Sequence, residues 1–478
     1  MTDDLTWLSM RRLAHLIATG EVSSEEAVRA HFERIDAVNP ALNAVITEDR
    51  ERALAEAREA DAARLEMGAD GELPALHGVP MTHKDTHETA GMRTAFGSPL
   101  FTDNIPQKDS LIIARLRAAG IITTGKTNVP ELAAGSHTFN QVFGTTVNPY
   151  DRSKSASGSS GGVGAVIAAG IQAAGDGSDM GGSLRTPGSF NNVVGFRPSN
   201  GFIPHALPGD PWAWLAQSGF MAREVGDVAL LMNVASGPHR LAPQSQPPTD
   251  FDLPEFALDA DYQPNLAGVQ IGFAPDLGGR LNVEAEVAAV VGASQDVFAE
   301  LGAELTEECI NLSAAAEVFR VQRAYDFAAL YGQLLKAQPE KFKDFVAWNI
   351  QMGLDLGVEE IIAKDKARGR LLRAVDRFFA DHDVLVTTTS QVLPFDASIE
   401  YPTQINGVEQ TDYLDWMRAA TLISPTGCPS ISVPAGFSES GLPVGIQIVG
   451  KPGADVKVLQ VAHAFEAATG HAQHHPTF

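Results

Sequence analysis

The chain has 478 residues, and its 59 acidic against 35 basic side chains give a formal net charge of -24. A field of that sign repels phosphate backbones and anionic lipid headgroups, so neither nucleic acid nor a membrane surface is an expected partner. Hydrophobic residues at 44%, with 44 Gly and 28 Pro, describe a loop-rich globular α/β protein and exclude a disordered or fibrous one. Only Cys309 and Cys428 occur, too few for a disulfide framework. The start, Met1-Thr2-Asp3-Asp4-Leu5, is acidic where a secretory signal is basic. No apolar run reaches the roughly eighteen residues of a membrane span. The expected location is cytoplasmic.

From Ser9 to about Leu65 the pattern is helical. Leu13, Leu16 and Ile17 share one face, Ser23-Ser24-Glu25-Glu26 offers a capped start for a helix through Ile35, and Arg50 to Leu65 reads as a solvent-facing helix. After Gly78 the segments shorten: a helix from Asp109 to Ala119 stopped by Gly120, a β-branched strand from Ile121 to Thr124, and a small-residue helix from Gly162 to Gly170. A proline-rich acidic stretch between about Pro238 and Gln263 predicts a surface wrap or an insertion boundary. Helices resume over Val283–Leu301, Ala314–Leu335 and Val358–Phe379. Strands follow at Val384-Leu385-Val386, Ser430–Val433 and Gly445–Val449. Strands in both halves predict one sheet closed by the carboxy-terminal segment.

Three motifs mislead. Gly120-Ile121-Ile122-Thr123-Thr124-Gly125-Lys126-Thr127 fits the phosphate-loop spacing, but Gly120 follows a helix and the four inner residues are β-branched, so the segment reads as the strand itself. Gly158-Ser159-Ser160-Gly161-Gly162 fits the nucleophile-elbow spacing around Ser160, but polar, turn-like residues precede it where a strand is needed. His83 and His87, and the tail histidines His471, His474 and His475, lack the accompanying pattern of a metal site, so no metal is expected.

The chemistry lies elsewhere. A serine hydroxyl needs a base to take its proton, and a tetrahedral intermediate needs N–H donors where its oxyanion forms. Met180-Gly181-Gly182-Ser183 offers both a hydroxyl and donors, because two glycines let backbone amides turn inward. Lys84, in Gly78-Val79-Pro80-Met81-Thr82-His83-Lys84-Asp85, is the candidate base, since serine–lysine pairs are a variant of the triad. With a pKa of about 10.4 in water, a lysine is mostly protonated at neutral pH. Burial must lower its pKa by about three units, roughly 4 kcal/mol.

These residues fall in blocks that resemble the amidase signature family over nearly the whole chain. The core is Ser157 to Gly162, Gly177 to Pro187 and Val194-Gly195-Phe196-Arg197-Pro198. The flanks are Gly78-Val79-Pro80 before Lys84-Asp85, Gly125 to Asn128, Phe143 to Pro149, and Gly441 to Gln447. The resemblance implies an α/β fold with a large mixed β-sheet core flanked by helices on both sides. It implies one amidase domain over 1–478, with an N-terminal helical segment at 1–70 and a variable helical region at about 238–380 shaping the substrate pocket.

The resemblance further implies that Ser183 is the acyl-forming nucleophile, Ser159 a bridging serine after a cis peptide bond, and Lys84 the base at the end of the relay. Met180, Gly181, Gly182 and Ser183 are the expected oxyanion donors. Ala133 falls, by spacing, where the family presents a backbone carbonyl to the nucleophile. Asp179 and Arg185 are expected to brace the loop. The chain departs from the pattern at Ala156-Ser157-Gly158, usually Pro-Gly-Gly, at Ser178, usually threonine, and at Asn192, usually glycine.

The implied activity is hydrolysis of small linear or aryl amides, with esters and carbamates (urethanes) as further substrates and no cofactor. A homodimer is the expected assembly. The alternative is a glutamine-hydrolysing subunit of a tRNA-dependent amidotransferase complex. Trp212 and Trp214, in the stretch from Pro208, with Phe139, Phe143 and Tyr325, are candidates for an apolar acyl or aryl pocket.

Overall fold

The computed structural model describes residues 2–68, 71–205, 210–258 and 261–478. Ser9 caps the helix Met10–Thr19, and Ser23 with Glu26 forms a reciprocal capping box at the start of Ser24–Leu42. That helix runs past the expected end at Ile35, through Pro40, to Asn43 in the left-handed conformation. The next segment, Arg50–Met67, buries only Ala53 and Ala57 and keeps its charged faces in water.

A strand that periodicity did not reveal, β1 (Val45–Glu48), joins β2 (Pro80–Lys84) and β3 (Ile122–Thr127) in a small sheet with β3 in the middle. β3 pairs antiparallel with β1 and parallel with β2. Every β2 and β3 residue is buried, so polar side chains there lack the alternating signature of a half-exposed strand.

The main sheet has eight strands: β4 (Ala174–Asp179), β5 (Val194–Arg197), β6 (Gln217–Ala222), β7 (Gln270–Phe273), β8 (Glu304–Thr306), β9 (Val384–Thr388), β10 (Ser430–Phe437) and β11 (Pro443–Gly450). Their spatial order is β8-β7-β9-β11-β10-β5-β6-β4. β7 pairs parallel with β8 and β9, and all other neighbours are antiparallel. The carboxy-terminal segment therefore completes the one sheet, from its middle. Its β10–β11 hairpin sits in the middle and joins the two halves.

Alternation along the strands builds two cores. Val384, Val386, Ile446 and Ile448 pack with Val291 and Phe298 of the helix Ala285–Glu300 and with Leu459 and Phe465 of the helix Asp455–Thr469. Leu385 and Val449, which point the other way, pack with Val318 and Phe319 of Ala315–Ala337 and with Leu371 and Phe378 of Val358–Phe378. Helices thus cover both faces of a mixed sheet. The stretch around Pro238–Gln263 carries, among its described residues, an isolated bridge between His239 and Ala242 and the short helical turn Pro254–Phe256. None of the described helices is long and apolar enough to cross a membrane.

Candidate active site

Lys84 ends β2 with no exposed surface. Its Nζ lies 2.8 Å from Ser159 Oγ, 2.8 Å from Ser160 Oγ and 3.0 Å from Ser178 Oγ, with the Ser178 carbonyl oxygen at 3.3 Å. Burial lowers the lysine pKa from its ordinary value to about 7, against the opposing pull of Asp179 and Asp176. The carbonyl can only accept, so it takes an N–H. The lone pair of an uncharged amine is then free for a hydroxyl proton.

Ser159 follows a cis peptide bond from Gly158, with Ser157 just before it at φ 61°. The helix Gly161–Ala168 begins two residues later. A Cβ on Gly162 would meet the Asn128 backbone at 2.5 Å, so this helix start can approach the loop after β3 only without a side chain. The Ser160 amide donates to the Ser183 carbonyl at 3.2 Å, tying the two serine loops together. Ser159, Ser183, Met180, Gly181 and Ala133 line one cavity of about 150 Å3. Ser183 Oγ itself makes no hydrogen bond among the described residues.

The loop from β4 to Ser183 turns around Asp179. Its carboxylate accepts from Gly182 N at 2.8 Å and Leu184 N at 3.2 Å, and from Arg185 Nε at 3.0 Å and Nη2 at 2.8 Å. Burial opposes ionisation, yet Arg185 and Arg197 hold this carboxyl well below the usual carboxylate range. Arg185 Nη1 also donates to Gln447 Oε1 of β11 at 2.6 Å.

One expected oxyanion donor is therefore already engaged: the Gly182 N–H points back to Asp179, and Gly182 does not line the cavity. At φ +107° this glycine makes the reversal that a side chain would resist. The amides of its neighbours Gly181 and Ser183 have no partner among the described residues. Asp179→Ala leaves two buried guanidinium groups facing an emptied position. We expect it to lower unfolding free energy by about 3–5 kcal/mol, measured as a shift of the urea midpoint.

Several polar residues around the site were not foreseen. Ser178 appeared only as a departure from the family pattern, and its hydroxyl is one of the groups around Lys84 Nζ. Asp176, one strand repeat earlier on the same face of β4, accepts from His83 Nδ1 at 2.6 Å, His87 Nδ1 at 2.5 Å and the Lys84 amide at 3.2 Å. The histidine pair read as a weak metal motif is thus joined by a carboxylate. No group of metal-ligating side chains occurs among the described residues.

The aromatic candidates need correction. Trp212 is 65% exposed, and Tyr325 is also exposed. Trp214 is stacked beneath Arg368 at 3.6 Å, Phe139 beneath Lys343 at 3.3 Å and Phe143 beneath Arg93 at 5.0 Å. None lines the cavity, and Pro208 and Gly209 lie outside the described residues. The aromatic lining is Phe327 and Tyr331, with Leu132, Leu330, Met180 and Met417. Helix phase explains the miss: Arg323, Phe327 and Tyr331 are spaced by four and share a face, whereas Tyr325 lies about 200° around from Phe327. A larger groove of about 920 Å3, lined in part by Arg11, His15 and Arg64, contains neither serine nor Lys84.

The family model described as Amidase matches residues 26–459. An acylamidase of Rhodococcus erythropolis is 33% identical over 99% of this chain and 98% of its own length. A glutamyl-tRNA(Gln) amidotransferase subunit of Cupriavidus necator is 33% identical over 96% of each. The crystal structure of a bacterial aryl acylamidase of the amidase signature family superposes with a TM-score of 0.90 at 27% identity, covering 98% of this chain and 97% of that one.

Proposed function

The chain belongs to the amidase signature family, and from that premise we propose that it hydrolyses small aryl and linear amides through an acyl-enzyme on Ser183. Uncharged Lys84 takes the Ser159 proton, Ser159 takes the Ser183 proton, and Ser183 attacks the carbonyl. The same path returned in reverse protonates the leaving amine, and water repeats the cycle on the acyl group. The link from Ser183 to Ser159 closes when a bound substrate draws the two hydroxyls together, since such bonds are often long in an empty site. The Gly181 and Ser183 amides stabilise the oxyanion. Esters and carbamates present the same carbonyl and follow the same route.

The observation that carries this reading is the convergence of an apolar cavity, with Phe327 and Tyr331, on the unpartnered hydroxyl of Ser183. An aromatic leaving or acyl group fits such a wall. Phe327→Ala should raise KM for an anilide about tenfold, from the loss of roughly 1–2 kcal/mol of apolar contact, while a short aliphatic amide changes little. Steady-state kinetics on the two substrates separate these outcomes, and equal changes count against the aryl preference.

The amidotransferase relatives support a second reading, in which the chain releases ammonia from glutamine for a partner. Purified protein assayed alone decides between them. Anilide turnover without a partner supports the first reading, and inertness until a partner is added supports the second.

A further inference from the structure

β2 is an edge strand of the small sheet, paired with β3 on one side only. The Asp85 N–H turns inward to the Thr127 carbonyl at 3.1 Å, so the N–H groups of Thr82 and Lys84 point outward by alternation. Side chains take them: Gln172 Oε1 accepts from Thr82 N at 2.9 Å, and Asp176 Oδ2 accepts from Lys84 N at 3.2 Å. Asp176 and Ser178 share one face of β4. One strand therefore holds Lys84 at both ends, Asp176 at its amide and Ser178 at its Nζ.

The Asp176 carboxylate is fully buried and makes two shorter bonds, Oδ1 with His83 Nδ1 at 2.6 Å and Oδ2 with His87 Nδ1 at 2.5 Å. Burial opposes its ionisation, yet His83 and His87 hold it well below the usual carboxylate range. Burial in turn lowers the His87 pKa against that bond, so this ring is neutral at neutral pH. His205, which faces His87, is lowered by burial to about 4. On β3, Lys126 lies near both Asp85 and Asp176. Two carboxylates act on Lys84. Asp179 is paired with Arg185 and Arg197, whereas Asp176 hydrogen-bonds only two imidazoles and an amide among the described residues.

Resting on the acyl-enzyme reading above, we propose that Asp176 is a positioning residue that acts through Lys84: its carboxylate fixes the lysine main chain, and its negative charge sets how firmly the amine holds a proton. An anion close to a buried amine favours the ammonium form and so offsets part of the desolvation. Without that anion the amine gives up its proton more easily and takes one less well. A general base is most effective with its pKa near the working pH, and Asp176 keeps the lysine there. The carboxylate itself neither gives nor receives a proton in the reaction.

The test is the pH profile of kcat/KM for para-nitroacetanilide in wild type and Asp176→Asn. Asparagine keeps the shape and removes the charge. Its carbonyl accepts from His87 Nδ1 and the Lys84 N–H. Its amide donates to His83 Nδ1 once that ring carries its hydrogen on Nε2, where Thr123 Oγ1 accepts at 3.1 Å. The acid limb is expected to move about one pH unit lower, with the alkaline plateau down about threefold from the weaker base. The two profiles then cross, and at pH 5 the variant is about threefold faster than wild type, a gain that a loosened structure does not give. A loss that is uniform at every pH, or an unchanged profile, overturns the assignment. If Asp176→Asn does not fold, the double variant His83→Val with Asp176→Val, which removes the carboxylate together with a donor and suits both strands, should show the same shift of the limb. Loss of the fold in both variants also overturns the assignment, since the carboxylate then serves the structure and not the base. Wild-type enzyme inert toward the anilide and toward para-nitrophenyl acetate overturns the amidase reading itself, whereas an active wild type with a limb that ignores Asp176 overturns this proposal alone.

Discussion

Replacing Lys84 with methionine is expected to lower kcat by about 10^2- to 10^4-fold, the range that general acid–base catalysis supplies, without unfolding the protein. The methylene stem keeps its buried packing, and the nitrogen facing Ser159, Ser160 and Ser178 is lost. Wild-type activity should follow the same nitrogen. With its pKa near 7, kcat/KM should fall about tenfold per unit as pH drops below that value, because only the uncharged amine can accept a proton. The stability effect has the opposite sense to that of a lysine in an ion pair. The folded pKa is lowered, so between about 7 and the unfolded value near 10.4 the unfolded chain binds the extra proton. Wild-type stability gains about 1.4 kcal/mol per pH unit across that window from this group. Urea unfolding at several pH values should show Lys84→Met at least as stable as wild type in acid, with the difference shrinking toward alkaline pH. An active Lys84→Met enzyme, or one whose acid limb is unchanged, sinks the relay.

Ser183→Ala should have a larger effect, a loss on the order of 10^4- to 10^6-fold in kcat, as when the nucleophile of a serine hydrolase is removed. Binding should persist, because the apolar wall and the free amides of Gly181 and Ser183 remain. Intact-protein mass spectrometry of wild type quenched during turnover of a slow ester should show the mass of one acyl group, and Ser183→Ala should show none. Ser159→Ala separates the two hydroxyls: it should slow acylation and still permit a trace of adduct on Ser183. An adduct of equal yield in Ser183→Ala would move the nucleophile elsewhere, with Ser160 the next hydroxyl to test.

The order of strands and helices was legible wherever hydrophobic period and stop signals agree. The helices Ala285–Glu300, Ala315–Ala337 and Val358–Phe378 lie close to their expected limits. β1 and β2 were not visible: β1 is only four residues long and mostly half-exposed, too short to show a period, and β2, buried throughout with Thr, His and Lys in it, has neither alternation nor an apolar run. The site was legible only as pieces. Glycine spacing marked the loop ending at Ser183, but nothing local indicates that the Gly182 amide turns back to Asp179 or that Asp176 holds two histidines. The aromatic wall was misplaced for a related reason: Tyr325 and Phe327 are equivalent in composition and differ only in helical phase, which the sequence shows only once the helix face is known.

The central position of β10 and β11 has a consequence for how the molecule comes into being on the ribosome. β5 pairs with β6 on one side and β9 with β7 on the other, and only this last-made hairpin bridges them. Until it emerges, a nascent chain that proceeds from the amino terminus has two half-sheets with open edges, the kind of surface that recruits stray strands. Arg185 also lacks its Gln447 partner during that interval. Translation stalled before β11 would leave a product prone to self-association, its hydrolytic centre still unanchored.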